Sequence, residues 1–113
     1  MTVELDPQPE ARDDLTVVHL EDDPLDAALI EARLHDEGLR VTWRRAVGRD
    51  DFRAALTAEV IDVILSDFAL PSYGGLEALD DAMARRPAVP FVFVSGAIGE
   101  ERAIESLRRG ATD

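Results

Sequence analysis

Two stretches of the sequence decide its fold. Residues 15–24 read LTVVHLEDDP and residues 60–67 read VIDVILSD. In each, a mostly apolar run ends in carboxylates, which is typical of a buried strand in a parallel sheet. Open α/β proteins place their ligand sites at the carboxyl ends of such strands. We therefore expect Glu21, Asp22 and Asp67 to lie together at one edge of the sheet.

The rest of the chain alternates predicted strands with amphipathic helices, the pattern of βαβ units on a parallel sheet. The leading residues, 1–14, are acidic with two prolines, which predicts a flexible leader before an α/β domain over residues 15–113. The strands are expected over residues 15–20, 40–46, 60–66 and 91–94. The first helix is expected to begin at residue 24 and to end near a cap at residue 38, and the other helices are expected over residues 50–59, 76–85 and 100–109.

The first two helices also have predicted ends and faces. Asp23 and Pro24 have the residue types of an N-cap and a first helical position, and Gly38 suits a C-terminal cap. Apolar residues at helical spacing indicate the packing face of each helix. For the first helix that face is Leu25, Ala28, Leu29 and Ala32, and for the second it is Phe52, Ala55 and Leu56.

The composition excludes several classes of protein. With 113 residues, 46% hydrophobic and 32% charged, the chain suits one globular domain. A net charge of −12 argues against nucleic acid or an anionic membrane as a direct partner. No apolar run is long enough to span a membrane, and the absence of cysteine favours a cytoplasmic location. All 12 basic residues are arginine, so no lysine is available within these residues.

Carboxylates gathered at one edge repel each other and lose hydration unless a cation neutralises them. Mg²⁺ is the cation that best suits such hard oxygen ligands, with one carboxylate left for phosphoryl chemistry. Capping explains Asp23, but it leaves Glu21 and Asp22 unexplained. Asp67 could instead start a turn, although no helix begins beside it.

Three other polar residues have two interpretations each. Ser95 follows the fourth predicted strand, where its hydroxyl could donate to a phosphoryl oxygen or simply form a turn with Gly96. His19 lies within the first strand, where packing is a better explanation than phosphoryl donation. His35 lies on a polar helix face and is expected in solvent.

Four stretches together resemble the receiver domain of two-component response regulators. They are VVHLEDDP at residues 17–24, ILSDFALP at 64–71, FVSGA at 93–97 and AIESLRRGATD at 103–113. The resemblance implies a flavodoxin-like, doubly wound parallel sheet with strand order 2-1-3-4-5. It also implies that Asp67 accepts a phosphoryl group from a histidine kinase or a histidine phosphotransfer protein.

The same resemblance assigns roles to the site residues. Asp22 would bind Mg²⁺ directly, Glu21 would act through water, and Asp67 and the backbone carbonyl of Ala69 would complete the protein ligands. Ser95 would be the switch hydroxyl. Gly96 would leave room for the phosphoryl oxygens.

One family feature lies beyond the printed residues. Receivers carry a lysine on a fifth strand, preceded by an aromatic switch residue, and this chain stops before both. We expect the polypeptide to continue past Asp113 through that fifth βα unit. Without it, the fourth strand would have an open edge able to pair with a second copy, so a dimer is left open.

Two other functions are weighed against the phosphoacceptor. A degenerate receiver would act only as a protein-interaction module, which the absent lysine favours and the intact carboxylates oppose. A Mg²⁺-dependent phosphohydrolase with an aspartyl nucleophile usually has a second acid two residues later, where this chain has Ala69. We therefore expect no turnover enzyme. The segment SGAIGEE resembles receivers attached to sensor kinases, but the kinase and the output domain are not specified by these residues.

Overall fold

The computed structural model describes residues 14–68, 70, 73–94 and 108–112. Its strands are parallel and form one sheet in the order β2-β1-β3-β4. This arrangement confirms the predicted α/β, flavodoxin-like fold. Among the described residues, no helix has the length and apolar character needed to cross a membrane. The elements are β1 (Asp14–Leu20), α1 (Pro24–Asp36), β2 (Arg40–Ala46), α2 (Arg49–Ala55), β3 (Val63–Ser66), α3 (Gly75–Arg85) and β4 (Phe91–Phe93).

The register of β1 determines where the chain leaves the sheet. β1 lies between β2 and β3, and its last residue, Leu20, pairs with Ala46 on one side and Ser66 on the other. The three strands therefore end at the same level. Because they are parallel, the residues that follow them all emerge at one edge.

The larger part of the core lies between the sheet and helices α2 and α3. Side chains from all three layers are buried in one cluster, which includes Val18, Leu20, Ile64, Phe91, Phe52, Tyr73, Ala78, Leu79 and Ala82. Phe52 and Leu56 are buried and Ala55 packs against this cluster, so the predicted face of α2 is confirmed.

Helix α1 buries a different face from the one predicted. Leu25 and Leu29 are 66% and 61% exposed, and Ala28 and Ala32 are exposed as well. The helix buries Ala27 instead, and half-buries residues 30 and 34. Both stripes have helical spacing, so periodicity alone could not distinguish them.

The two ends of α1 agree with the prediction. Asp23 caps the first turn by accepting hydrogen bonds from the amides of Leu25 and Asp26 at 2.9 and 3.4 Å. Gly38 has a φ of 87°, and the Gly38 and Leu39 amides donate to the carbonyls of residues 35 and 34. This is a Schellman motif, for which glycine is the usual residue.

Helix α2 is shorter than predicted, ending at Ala55 instead of residue 59. The Thr57 hydroxyl donates to the Ala54 carbonyl at 2.6 Å, a local bond that competes with a further helical turn. Arg86, from the end of α3, donates to the carbonyls of Leu56 and Ala58 at 2.9 and 2.6 Å. These contacts satisfy carbonyl groups that would otherwise accept from the next turn of helix.

Strand β3 begins at Val63, three residues later than predicted. Val60 is 56% exposed, and the Asp62 carboxylate accepts a hydrogen bond from the Thr16 amide at 2.7 Å. The remaining shifts are of one residue: β1, α2 and α3 each begin one earlier, and β4 ends one earlier, than predicted. The helix predicted over residues 100–109 lies almost wholly outside the described residues.

The last described residues approach the outer edge of β4. The Thr112 amide donates to the Phe91 carbonyl at 2.7 Å, and the Phe91 amide donates to the Thr112 hydroxyl at 3.1 Å. The chain therefore reaches the position at which a fifth strand was predicted.

His19 is a buried residue of the sheet. It is fully buried, its ring lies 5.5 Å from the Trp43 ring, and neither ring nitrogen has a hydrogen-bond partner among the described residues. Burial, together with the charge of Arg45, lowers the pKa of His19 to about 4, and the charge of Asp67 opposes the shift. The packing interpretation of His19 is therefore supported.

The lowered pKa predicts that the protein loses stability in mild acid. Between pH 6.5 and 4 the unfolded chain takes up a proton on residue 19 that the folded chain does not, so the folded state is disfavoured as the pH falls. From pH 7 to pH 5 this residue should remove about 2 kcal/mol from the free energy of unfolding. Urea denaturation at both pH values measures the loss. His19→Leu should abolish that increment, whereas His35→Gln should retain it; equal losses in both variants would contradict the assignment.

Two adjacent glycines give a second prediction. A Cβ on Gly75 would lie 2.9 Å from the Phe68 Cα and carbonyl oxygen, whereas a Cβ on Gly74 would meet only the Glu77 carboxylate at 3.5 Å. Gly75→Ala should therefore lower the free energy of unfolding by about 1–3 kcal/mol, because backbone atoms must move apart. Gly74→Ala should change it by less than about 0.5 kcal/mol. Equal urea midpoints for the two variants would show that the Phe68–Gly75 contact is not tight.

Candidate functional site

Three carboxylates meet where β1 and β3 end. Glu21 and Asp22 follow β1, Asp67 follows β3, and each can place one carboxylate oxygen within 4.8 Å of the other two. The backbone fixes this arrangement, because the Asp67 amide donates to the Leu20 carbonyl and the Glu21 amide to the Ala46 carbonyl, both at 2.9 Å. The two bonds continue the strand ladders by one residue. The positions of these acids therefore follow directly from the sheet.

The three acids differ in exposure. Glu21 is only 4% exposed, Asp67 is half-buried and Asp22 is exposed. Burial raises the pKa of Glu21, and the charges of Asp67, Asp26 and Asp22 raise it further, while a hydrogen bond from the Asp23 amide opposes them. Among the described residues, no arginine forms an ion pair with Glu21 or Asp22. Within the part of the chain that the structure describes, this buried carboxylate in a cluster of acids therefore has no arginine to compensate its charge.

This donor set suits a small hard cation. Mg²⁺ prefers oxygen ligands at about 2.1 Å, so two oxygens on opposite sides of one ion lie about 4.2 Å apart. The three ligand oxygens lie within 4.8 Å of one another, so the cluster is close to this spacing and rotation of the exposed Asp22 side chain can supply the rest. Positive charge placed there would offset both the mutual repulsion of the carboxylates and the burial of Glu21.

Asp23 stands apart from this cluster although it follows Asp22 directly. Its carboxylate accepts from the first amides of α1. The acidic run of residues 21–23 thus has two roles, with Asp23 ordering the helix and Glu21 and Asp22 facing Asp67.

The sequence did not identify Arg45 as a neighbour of the site. Its guanidinium donates to the Glu21 carbonyl at 2.9 Å, which ties the end of β2 to the connection between β1 and α1. The signal that places Arg45 near the site is the pairing of β2 with β1, in which Arg45 is the register partner of His19.

Three predicted site residues, Ala69, Ser95 and Gly96, lie outside the described residues. Their neighbours in sequence are described. Phe68 directly follows Asp67, and the Val94 amide donates to the Ser66 carbonyl at 3.0 Å. The chain therefore leaves β4 at the same edge as the carboxylates.

Comparison with known proteins agrees with this geometry. The family model for the response regulator receiver domain matches residues 17–113. The transcriptional regulatory protein ZraR of Salmonella typhimurium is 26% identical over 102 residues, which is 90% of this chain and 23% of ZraR. A protein-glutamate methylesterase/protein-glutamine glutaminase of Gluconobacter oxydans is 36% identical over 102 residues, 88% of this chain and 28% of that protein. The chain thus spans about a quarter of the length of these relatives.

Solved structures share the fold. A CheY-like receiver domain protein from Methanospirillum hungatei superposes with a TM-score of 0.72 at 26% identity, covering 87% of this chain and 77% of that one. The receiver domain of the sensor histidine kinase PA1611 from Pseudomonas aeruginosa, described with a magnesium ion in its active site cleft, gives 0.72 at 24% identity, covering 88% and 82%. The chain belongs to the response regulator receiver domain family.

Proposed function

We propose that this protein is the phosphoacceptor receiver of a two-component system. Asp67 would take a phosphoryl group from a histidine kinase or a histidine phosphotransfer protein, with Mg²⁺ bound. The observation that carries the proposal is the convergence of the Glu21, Asp22 and Asp67 carboxylates to within 4.8 Å of one another. A degenerate receiver would have no need to maintain this unfavourable cluster of charge.

The chemistry assigned to Asp67 is a phosphoryl transfer. One of its carboxylate oxygens forms a bond to phosphorus while the phosphorus–nitrogen bond of the donor phosphohistidine breaks, and the electron pair returns to the donor imidazole. When bound, Mg²⁺ would supply the charge neutralisation that lets an anionic phosphoryl group approach an acidic site. Asp22 would hold the metal directly and Glu21 through water, with the Ala69 carbonyl as a further ligand.

The product would act as a switch. Ser95 would donate its hydroxyl to an oxygen of the aspartyl phosphate, and Gly96 would leave room for that group. Movement of the Ser95 segment would bias a partner-binding surface between two states. On this proposal the domain assists its own modification and is not a turnover enzyme.

The output of the whole protein is a separate matter. ZraR is named a transcriptional regulator, and the Gluconobacter oxydans relative is named a methylesterase and glutaminase. The matched part is only about a quarter of each, so neither activity is assigned to this chain. The magnesium described in the PA1611 receiver supports the choice of metal.

One prediction of the proposed function tests the phosphoacceptor. Incubation with acetyl phosphate and Mg²⁺ should add one phosphoryl group by intact mass, and Asp67→Asn should abolish the addition because an amide is a much poorer nucleophile than a carboxylate. Asp80→Asn is the control, since Asp80 is an exposed acid on α3 that pairs with Arg109. A mass shift that survives Asp67→Asn and disappears with a change at His19 or Ser95 would refute the assignment.

Another prediction of the proposed function tests the metal site. Asp22→Asn should weaken Mg²⁺ binding by roughly tenfold or more in a calorimetric titration, because a formal charge is lost from a hard-cation site. Asp23→Asn makes the same change of charge one residue away, and asparagine still caps a helix. That variant should bind Mg²⁺ within about threefold of the parent protein. Unchanged affinity in Asp22→Asn would remove Asp22 from the site.

A further inference from the structure

The loop between Asp67 and α3 is held at its far end by a network that the proposed chemistry does not use. Tyr73 lies six residues after Asp67, is 1% exposed, and packs its ring 6.0 Å from that of Phe52. Its hydroxyl donates to the carboxylate of Asp81 on α3. Burying a phenol hydroxyl in an apolar site is unfavourable unless the hydroxyl has a hydrogen-bond partner. Packing of the ring alone therefore does not account for this residue.

Asp81 is the centre of this network. Arg53 of α2 donates to it through two nitrogens, both at 3.1 Å, and Arg85 donates at 3.2 Å from the next turn of α3. Burial alone would raise the pKa of Asp81, but the hydrogen bonds from Arg53 and Tyr73 outweigh it and lower the pKa. The carboxylate therefore stays ionised, and a charged acceptor makes the bond from Tyr73 stronger than one between neutral groups.

A second set of contacts runs parallel to the first. The Gly74 amide donates to the Glu77 carboxylate at 3.0 Å, and Arg49 of α2 lies 3.7 Å from the other oxygen of that carboxylate. The Arg49 guanidinium also lies 5.4 Å from the centre of the Tyr73 ring. Two successive loop residues are thus each bound to an acid of α3, and each acid is paired with an arginine of α2.

The near end of the loop is fixed as well. The Gly75 amide donates to the Phe68 carbonyl at 3.0 Å, which closes the loop one residue after Asp67. The side chain of Leu70, between these two points, is buried in the core. Tyr73 therefore lies two residues from a hydrogen bond to the residue that follows Asp67, so a displacement of Tyr73 can reach the acceptor through this contact.

We propose that Tyr73 is a positioning residue for the phosphoacceptor site, acting through its hydroxyl on Asp81 and, through Asp81, on Arg53 of α2. The inference rests on the proposed function of Asp67. In structural terms, helix α2 sets the geometry of the loop that follows the acceptor, although it contributes no residue to the carboxylate cluster. If residue 73 served only to fill space in the core, its aromatic ring without the hydroxyl would be sufficient.

The test compares variants that remove single contacts from the same carboxylate. Tyr73→Phe keeps the ring and deletes the hydroxyl; Arg85→Ala deletes a donor that lies within α3 and does not touch the loop. The rate of phosphorylation by acetyl phosphate is measured at saturating Mg²⁺. Tyr73→Phe should reduce it about three- to tenfold, as expected for losing part of a hydrogen bond to a charged group. Arg85→Ala should leave the rate within about twofold of the parent.

Two further measurements separate positioning from loss of structure. Arg53→Ala should also slow phosphorylation, and the double variant Tyr73→Phe/Arg53→Ala should be slowed by less than the product of the single effects, because both act through Asp81. Amide hydrogen exchange at Phe68 and Leu70 should be faster in Tyr73→Phe than in Arg85→Ala, while urea midpoints show that both are folded.

The outcomes distinguish the two claims. If the parent protein takes up no phosphoryl group, the proposed function fails and this inference fails with it. If the parent is phosphorylated but Tyr73→Phe is phosphorylated as fast as the parent, or as fast as Arg85→Ala, only the role of Tyr73 is overturned. Fully multiplicative effects of the Tyr73 and Arg53 changes would also overturn it, since independent losses of packing would behave in that way.

Discussion

The parallel pairing of β1 with β3 is the constraint on which the rest of the structure depends. Leu20 and Ser66 are register partners, so the next residue on each strand leaves the sheet at the same level. Those residues are Glu21 and Asp67, and the pairing brings their negative charges together. A shift of one residue in either strand would turn the acid of that strand to the opposite face of the sheet and disperse the cluster. The site is therefore a property of the register.

Holding acids together in this way is unfavourable unless a cation is bound, so the surrounding structure must supply the stability. The backbone bonds from Glu21 to Ala46 and from Asp67 to Leu20 extend the ladders past the last strand residues, and Arg45 adds a bond to the Glu21 carbonyl. Below this edge, the cluster of buried residues between the sheet, α2 and α3 provides the hydrophobic stabilisation. Like charges are normally kept apart in a folded protein. A functional site is expected to break such a rule locally, with the lost stability offset by the rest of the structure.

Local features of the fold were predictable from the sequence, and long-range features were not. The bounds of β2, the Asp23 cap and the Gly38 turn depend on residues within a few positions of each other. The early end of α2 depends on Arg86, which lies 28–30 residues further along the chain. The buried face of α1 could not be chosen either, because two apolar stripes have the same period and only the rest of the tertiary structure decides between them.

The candidate site divides in the same way. The acids at the strand ends were identifiable because an apolar run followed by carboxylates is a strong local pattern. Arg45 was not, since its contact with Glu21 exists only when β2 lies beside β1. The partners of Tyr73 were likewise hidden, because they come from two helices whose relative positions the sequence does not state.

Two shielded carboxylates of this chain show how it uses its arginines. The Asp81 side chain is only 14% exposed. Arginines from two helices, together with Tyr73, lower its pKa. Glu21 is 4% exposed and has no arginine ion pair among the described residues, so burial and neighbouring acids raise its pKa. A chain with 12 arginines and a net charge of −12 thus neutralises a structural acid with its own cations. In the proposed function, the acids at the strand ends are instead neutralised by a cation from solution, so the charge state of the site would depend on binding.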